Sequence, residues 1–157
     1  MGVCYQAGKW RFDSMTAHNF TPEIRAFLLE ATRTGKLATV RSDGRPHVVP
    51  IWFLLDGDTI IFTTGEGSVK AKNMQRDPRV CLCVDDEHPL YSYAMSEGTV
   101  TFSDNMQDLA MWATRIASRY MGEQLAEQYG KRNSVPGELL VRITPTKILF
   151  EKDVAGY

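Results

Sequence analysis

Cysteine is scarce in this chain of 157 residues: Cys4, Cys81 and Cys83 make an odd count. A chain of this length buries roughly two-thirds of its unfolded surface, so its core needs no staples and reduced thiols are expected instead of a disulfide framework. Period two would put Cys81 and Cys83 on one face of a strand, where they read as small buried hydrophobes. No further cysteine or histidine cluster stands at ligand spacing, so no metal site is expected. Long apolar runs are also missing. Nothing approaches the roughly 18–20 residues that span a bilayer, and residues 1–14 lack the basic-then-apolar layout of a leader. The expectation is a cytoplasmic protein without membrane contact. An excess of one charge is absent too, with 18 basic against 19 acidic side chains. Nucleic acid is excluded as a general partner, and any basic cluster must be local.

What is present reads as one domain. Residues 1–19 show no period and read as an N-terminal arm without a fold of its own; residues 20–157 form the domain proper. Thr21, Pro22 and Glu23 offer a helix start, and Ile24, Phe27, Leu28 and Ala31 follow at helical spacing, ending near Gly35. From Lys36 the period changes to two. Residues 37–40 read as a strand, Ser42-Asp43-Gly44-Arg45 as a hairpin turn, and residues 46–55 as a second, largely buried strand. A turn at Asp56-Gly57-Asp58 leads to a third strand over 59–64. Gly65-Glu66-Gly67-Ser68 then opens a helix over 69–75, closed by Asp77-Pro78. Strands are expected over 80–84, 91–102 and 138–150, with Pro145 bending the last or placing it at an edge. Asp104 is the expected cap of a long helix whose Met106, Leu109, Ala113, Ile116 and Tyr120 form an apolar stripe, continued or broken near Gly122. Tight hairpins leave no room for parallel crossovers, so the fold class is mainly β: an antiparallel barrel with helices over its openings.

Thr63-Thr64-Gly65-Glu66-Gly67-Ser68-Val69-Lys70-Ala71-Lys72-Asn73 carries the most chemistry. A strand ends in two hydroxyls, a glycine-rich turn follows, and a helix begins with a serine and two lysines. Free N–H groups, the helix dipole and cations would converge there on a phosphate. The spacing is that of neither a Walker loop nor the dinucleotide fingerprint.

Three stretches together resemble the flavin-binding split-barrel family that includes pyridoxamine 5′-phosphate oxidase: Gly44-Arg45-Pro46-His47-Val48-Val49-Pro50-Ile51-Trp52-Phe53, Ile61-Phe62-Thr63-Thr64, and Ser68 onward through Asp77-Pro78-Arg79-Val80. Tyr91-Ser92-Tyr93-Ala94-Met95-Ser96-Glu97-Gly98 looks most like that family's deazaflavin-dependent branch. The resemblance implies an FMN-binding split barrel that is homodimeric, with sites at the subunit interface that bind coenzyme F420 or, alternatively, FMN. Both cofactors carry a phosphate on a ribityl chain. Carried over by position, Lys70 pairs with that phosphate, and Thr63, Thr64, Ser68 and the Val69 backbone complete the cradle. Lys72 and Asn73 meet the phosphate or the anionic tail beyond it. The strand of Val48, Val49, Pro50 and Ile51 runs beside the ring, and Tyr91 either approaches the cofactor or packs within its strand.

Departures from the oxidase pattern narrow the expected activity. Val69 stands where those oxidases place an arginine before the phosphate lysine, and their C-terminal arginine and histidine segment is absent. The resemblance therefore implies an F420-dependent oxidoreductase that passes a hydride to a small conjugated molecule. An FMN enzyme of the same fold and a cofactor carrier without turnover are the alternatives. His47 is the one titratable candidate for proton donation, provided that it faces the ring, which strand alternation leaves open.

Overall fold

The computed structural model describes residues 15–17 and 19–156; the rest of the expected N-terminal arm lies outside the described residues. Within that arm, β1 (Met15–Ala17) pairs with the last strand. α1 (Pro22–Leu29) begins as its sequence demands. The Thr21 hydroxyl accepts from the Ile24 N–H at 3.2 Å, and Pro22 occupies a position where its missing N–H costs nothing. The helix stops well before Gly35, and the chain turns left-handed at Ala31 (φ 49°). Gly35 instead opens β2 (Gly35–Val40), where an added Cβ would come within 2.6 Å of the Leu82 side chain.

β2 and β3 (Pro46–Ile51) make the expected hairpin, with Gly44 at φ 83° in its turn. The strand does not continue to residue 55. It breaks at Trp52 and Phe53 and resumes as β4 (Leu54–Asp56), which pairs with β5 (Thr59–Gly65) and not with β2. α2 (Val69–Arg76) and β6 (Arg79–Asp85) follow as expected, and then β7 (Tyr93–Ser103) begins two residues later than the sequence suggests. Tyr91, at φ 62°, lies in the preceding loop. Asn105, not Asp104, caps α3 (Met106–Met121), accepting from the Gln107 and Asp108 N–H groups at 3.1 and 3.0 Å. Gly122, at φ 85°, separates α3 from α4 (Glu123–Arg132), and β8 (Glu138–Glu151) completes the chain.

The strands run β3-β2-β6-β7-β8-β5-β4, antiparallel throughout. β3 and β4 occupy the two ends of this path, yet only Trp52 and Phe53 separate them. An extended residue spans at most about 3.6 Å, so the sheet must curl until its edges meet. The result is a split barrel. Leu37, Ile60, Phe62, Leu82, Ile143 and Ile148 fill its interior, joined by Ile24 and Leu28 of α1. α3 lies on the outside, where Leu109, Trp112 and Ile116 cover Ile61 and Leu140 in a second apolar cluster. β5 is thus buried on both faces, with Ile60 and Phe62 turned in and Ile61 turned out. Among the described residues no helix is long and apolar enough to cross a membrane.

Pro145 neither bends β8 away nor stands on an edge strand. It lies opposite Gly98 at a bulge between Glu97 and Gly98, between the end of β5 pairing at Ile143 and the start of β1 pairing at Ile148. A missing N–H is harmless in that gap. Gly98 is required there by close approach: its Cβ would stand 2.5 Å from the Thr144 carbonyl oxygen and 2.8 Å from Ile143 Cγ2. Gly98→Ala is therefore expected to destabilise the barrel by about 1–3 kcal/mol, the scale of an overpacked core site. A denaturant midpoint equal to that of the wild type would contradict this.

Candidate functional site

β5 ends in Thr63, Thr64 and Gly65, and the chain turns through Glu66 and Gly67 into α2. Ser68 is the cap, its hydroxyl accepting from the Ala71 N–H at 3.2 Å while lying 3.0 Å from the Thr64 hydroxyl. The Ser68 N–H donates to the Gly65 carbonyl at 3.0 Å, and the Glu66 N–H to the Gly137 carbonyl at 2.8 Å. These bonds fix the turn. Among the described residues the N–H groups of Val69 and Lys70 find no acceptor, as the geometry of a first helical turn requires. A Cβ added at Gly67 would meet nothing within 4 Å, so the space beside these donors is open.

Lys70 is half-buried and projects into a cavity of about 270 Å³, walled by Pro50, Ile51 and Trp52, by Thr63, by Ile116 of α3, and by Asn133 and Glu138. Burial lowers the pKa of the Lys70 ammonium, and the Glu138 charge offsets this only in part. Burial likewise raises the Glu138 carboxyl against the opposing pull of Lys70. Each is partly desolvated, and neither fully neutralises the other. The donor set is that of an anion site: an ammonium, two unpaired backbone N–H groups and the positive end of a helix dipole.

The structure gathers only part of the expected set around this cavity. Thr63, Lys70, Pro50 and Ile51 line it, and Thr64, Ser68 and the Val69 backbone shape the adjoining turn. Lys72 is exposed, since two residues along a helix turn about 200° around its axis. Asn73 is buried, donating to the Thr39 hydroxyl at 3.0 Å and accepting from Arg76 at 3.3 Å, and so bolts α2 to β2. β3 alternates: Val48 and Pro50 are exposed, while His47, Val49 and Ile51 turn inward. His47 faces Thr39, with Nδ1 3.5 Å from its hydroxyl, on the opposite face from Val48. Among the described residues β3 pairs with β2 alone, which leaves its other backbone edge without a strand partner along the seam.

Tyr91 stands apart. It is half-exposed and borders a different cavity of about 290 Å³ with Asp85, Asp86, Glu87, Ser92, Tyr93 and Val154. Cys81 and Cys83 share a face as expected, but it is the outer one. Val80, Leu82 and Val84 take the interior, leaving the thiols half-exposed instead of buried. Partial burial raises both thiol pKa values. Among the described residues no group of three or more His, Cys, Asp or Glu side chains is placed to hold a metal.

Trp52, Ile116, Asn133 and Glu138 are cavity residues that sequence reasoning missed. Trp52 is held by stacking on Tyr120, with centroids 5.1 Å apart and planes within 3°. Glu138 arrives through the pairing of β8 with β5, in which it stands opposite Gly65. Only the register of distant strands reveals it.

The family described as pyridoxamine 5′-phosphate oxidase matches residues 20–152. Heme oxygenase HutZ of Vibrio cholerae is 27% identical over 135 residues, covering 83% of this chain and 75% of that protein. Among solved structures, a conserved hypothetical protein from Mycobacterium tuberculosis has a TM-score of 0.73 at 25% identity, covering 90% of this chain and 91% of the other. A structure named F420 reductase has a TM-score of 0.64 at 28% identity, covering 82% of this chain and 98% of that one.

The burial of Glu138 sets the sign of a stability effect. Its folded pKa lies above its unfolded value, so the penalty on its charge is absent below the carboxylate range and complete once pH exceeds the folded value. Glu138→Gln is expected to raise Tm at pH 7, with the gain fading as pH falls toward about 4. A lower Tm at both pH values would contradict this.

Proposed function

The chain belongs to the pyridoxamine 5′-phosphate oxidase family, and on that footing we propose that it is a homodimeric reductase that uses coenzyme F420 on a small, planar, conjugated substrate. The observation that carries this reading is the meeting of Lys70, the unpaired Val69 and Lys70 N–H groups and an open cavity beside the free edge of β3. These residues fit a phosphorylated flavin-type cofactor. Lys70 and the two N–H groups would hold its phosphate, with the Thr64–Ser68 hydroxyl pair keeping the turn in shape. The free backbone edge of Val48, Val49, Pro50 and Ile51 offers donors and acceptors to a polar ring edge. When bound, a reduced deazaflavin supplies a hydride and reacts poorly with oxygen.

The likeness to a structure named F420 reductase supports the choice of cofactor, at 28% identity. His47 takes no part in proton donation at the outer face of β3, because it turns inward to Thr39. A cavity of about 270 Å³ is below the roughly 300–1,000 Å³ of sites that enclose a drug-sized ligand, so a second wall is needed. A second copy of the chain would supply it. The outer face of the β3-β2-β6-β7 half of the sheet carries exposed or half-exposed Val48, Ala38, Cys81, Cys83 and Met95, an apolar strip flanked by Lys36 and Glu97 and suited to self-association.

Fluorescence titration of the purified protein with F420, FMN and hemin tests the reading. F420 is expected to bind tightest; tighter FMN binding would make the protein a flavin enzyme of the same fold, and tighter hemin binding would align it with the Vibrio cholerae relative. Lys70→Ala is expected to weaken F420 binding by about 1.5–3 kcal/mol, the scale of a charge-assisted hydrogen bond. Unchanged affinity would place the phosphate elsewhere. Tight binding without reduction of any enone, quinone or nitroaromatic would make the protein a carrier.

A further inference from the structure

Glu138 is an unexpected wall for an anion site. It opens β8 opposite Gly65, with Oε1 3.5 Å from the position of a Cβ on Gly65, and its carboxylate shares the cavity with Lys70. The charged neighbours of Glu138 are few. α2 contributes Lys70, and the turn before α2 contributes Glu66, whose Oε1 lies 3.8 Å from the Cβ position of the adjoining Gly137. β5 and the residue after α4 add the uncharged Thr63 and Asn133, while β3, the Trp52 link and α3 add apolar groups.

The resulting balance is narrow. Within the cavity walls, which do not include Glu66, one ammonium faces one carboxylate, leaving the half charge of the helix N-terminus as the surplus. A singly charged guest leaves the site close to neutral. A doubly charged one must sit against Glu138 or bring a proton with it.

We propose that Glu138 is a specificity-determining residue that makes the Lys70 cavity accept a singly charged phosphodiester and penalise a doubly charged phosphomonoester. This rests on the reading that the cavity holds the cofactor phosphate. The phosphate of F420 is a diester with one charge; that of FMN is a monoester with about −1.5 to −2 at pH 7. One carboxylate thereby separates two cofactors whose ring systems are nearly the same shape. Binding of the monoester draws a proton onto Glu138, and binding of the diester does not.

The test measures Kd for F420 and for FMN at pH 7.5 on the wild-type chain and on Glu138→Gln, with proton uptake read from the dependence of calorimetric heat on buffer ionisation. Gln keeps the shape of the side chain. The ratio of FMN to F420 dissociation constants is expected to fall by about tenfold or more in Glu138→Gln, chiefly through tighter FMN binding, as relief of a like-charge contact requires. Wild-type protein is expected to take up close to one proton with FMN, and the variant far less. An unchanged ratio overturns the role of Glu138. Uptake that persists in the variant places the proton on the phosphate and does the same. The wild-type uptake measurement stands even where the variant folds poorly, and its absence also overturns the proposal. Failure of the cofactor reading looks different: FMN then binds wild type more tightly than F420 whatever the substitution does to the ratio. Binding of neither ligand overturns both.

Discussion

Trp52 and Phe53 hold the two edges of the sheet together, and much of the architecture depends on that short link. Among the described residues it has no strand partner for its backbone groups, yet Phe53 is fully buried. The last turn of α3 supplies what is missing. The Phe53 N–H donates to the Tyr120 hydroxyl at 3.3 Å, and Arg119 donates to the Phe53 carbonyl at 2.8 Å. The same two side chains also bind the end of α1 and the loop after it: Tyr120 donates to the Arg33 carbonyl at 2.8 Å, and Arg119 to the Leu28 carbonyl at 2.9 Å. One helix end therefore satisfies the polar groups of the seam and fastens α1 over the barrel opening. Leaving such groups buried and unpaired would cost roughly 1–3 kcal/mol each, which explains why so polar a pair is held half-buried against the seam.

The link also makes the site. Alternation sends Phe53 into the barrel core and Trp52 outward, where it becomes a cavity wall beside Ile116. The seam leaves β3 with a free backbone edge, and the strand on the other side of the link leads through β5 into α2 and Lys70. Partial burial disfavours the charges of both Lys70 and Glu138, and their mutual attraction offsets this only in part. A barrel selected for stability alone would fill that space with apolar side chains. Partly desolvated charges of this kind cluster at functional sites, where a charged guest can offset them.

The turn into α2 and its cap were legible because their signals are local. Thr64, Ser68 and the 69–75 helix stand within a dozen residues, and capping chemistry reads directly from residue type. The break at Trp52 and Phe53 was not legible, since two large apolar residues without glycine or proline continue a strand pattern smoothly. Glu138 was hidden for another reason: it meets Gly65 through strand pairing, and no local pattern encodes register. Lys72 and Asn73 follow Lys70 closely in sequence, but helical rotation sends one to solvent and the other to Thr39. Cys81 and Cys83 were correctly put on one face, but hydrophobicity alone does not say which face of a barrel is the interior. The family resemblance foresaw the split barrel, and the matched residues 20–152 establish it.

Amide chemical shifts recorded during titration with F420 report on whether a cofactor phosphate seats on the start of α2. The Val69 and Lys70 N–H signals are expected to move downfield as they gain an acceptor, while Tyr91 and the N–H groups in the middle of α2 stay in place. Shifts centred on the Tyr91 loop, with Val69 and Lys70 unmoved, would contradict the account.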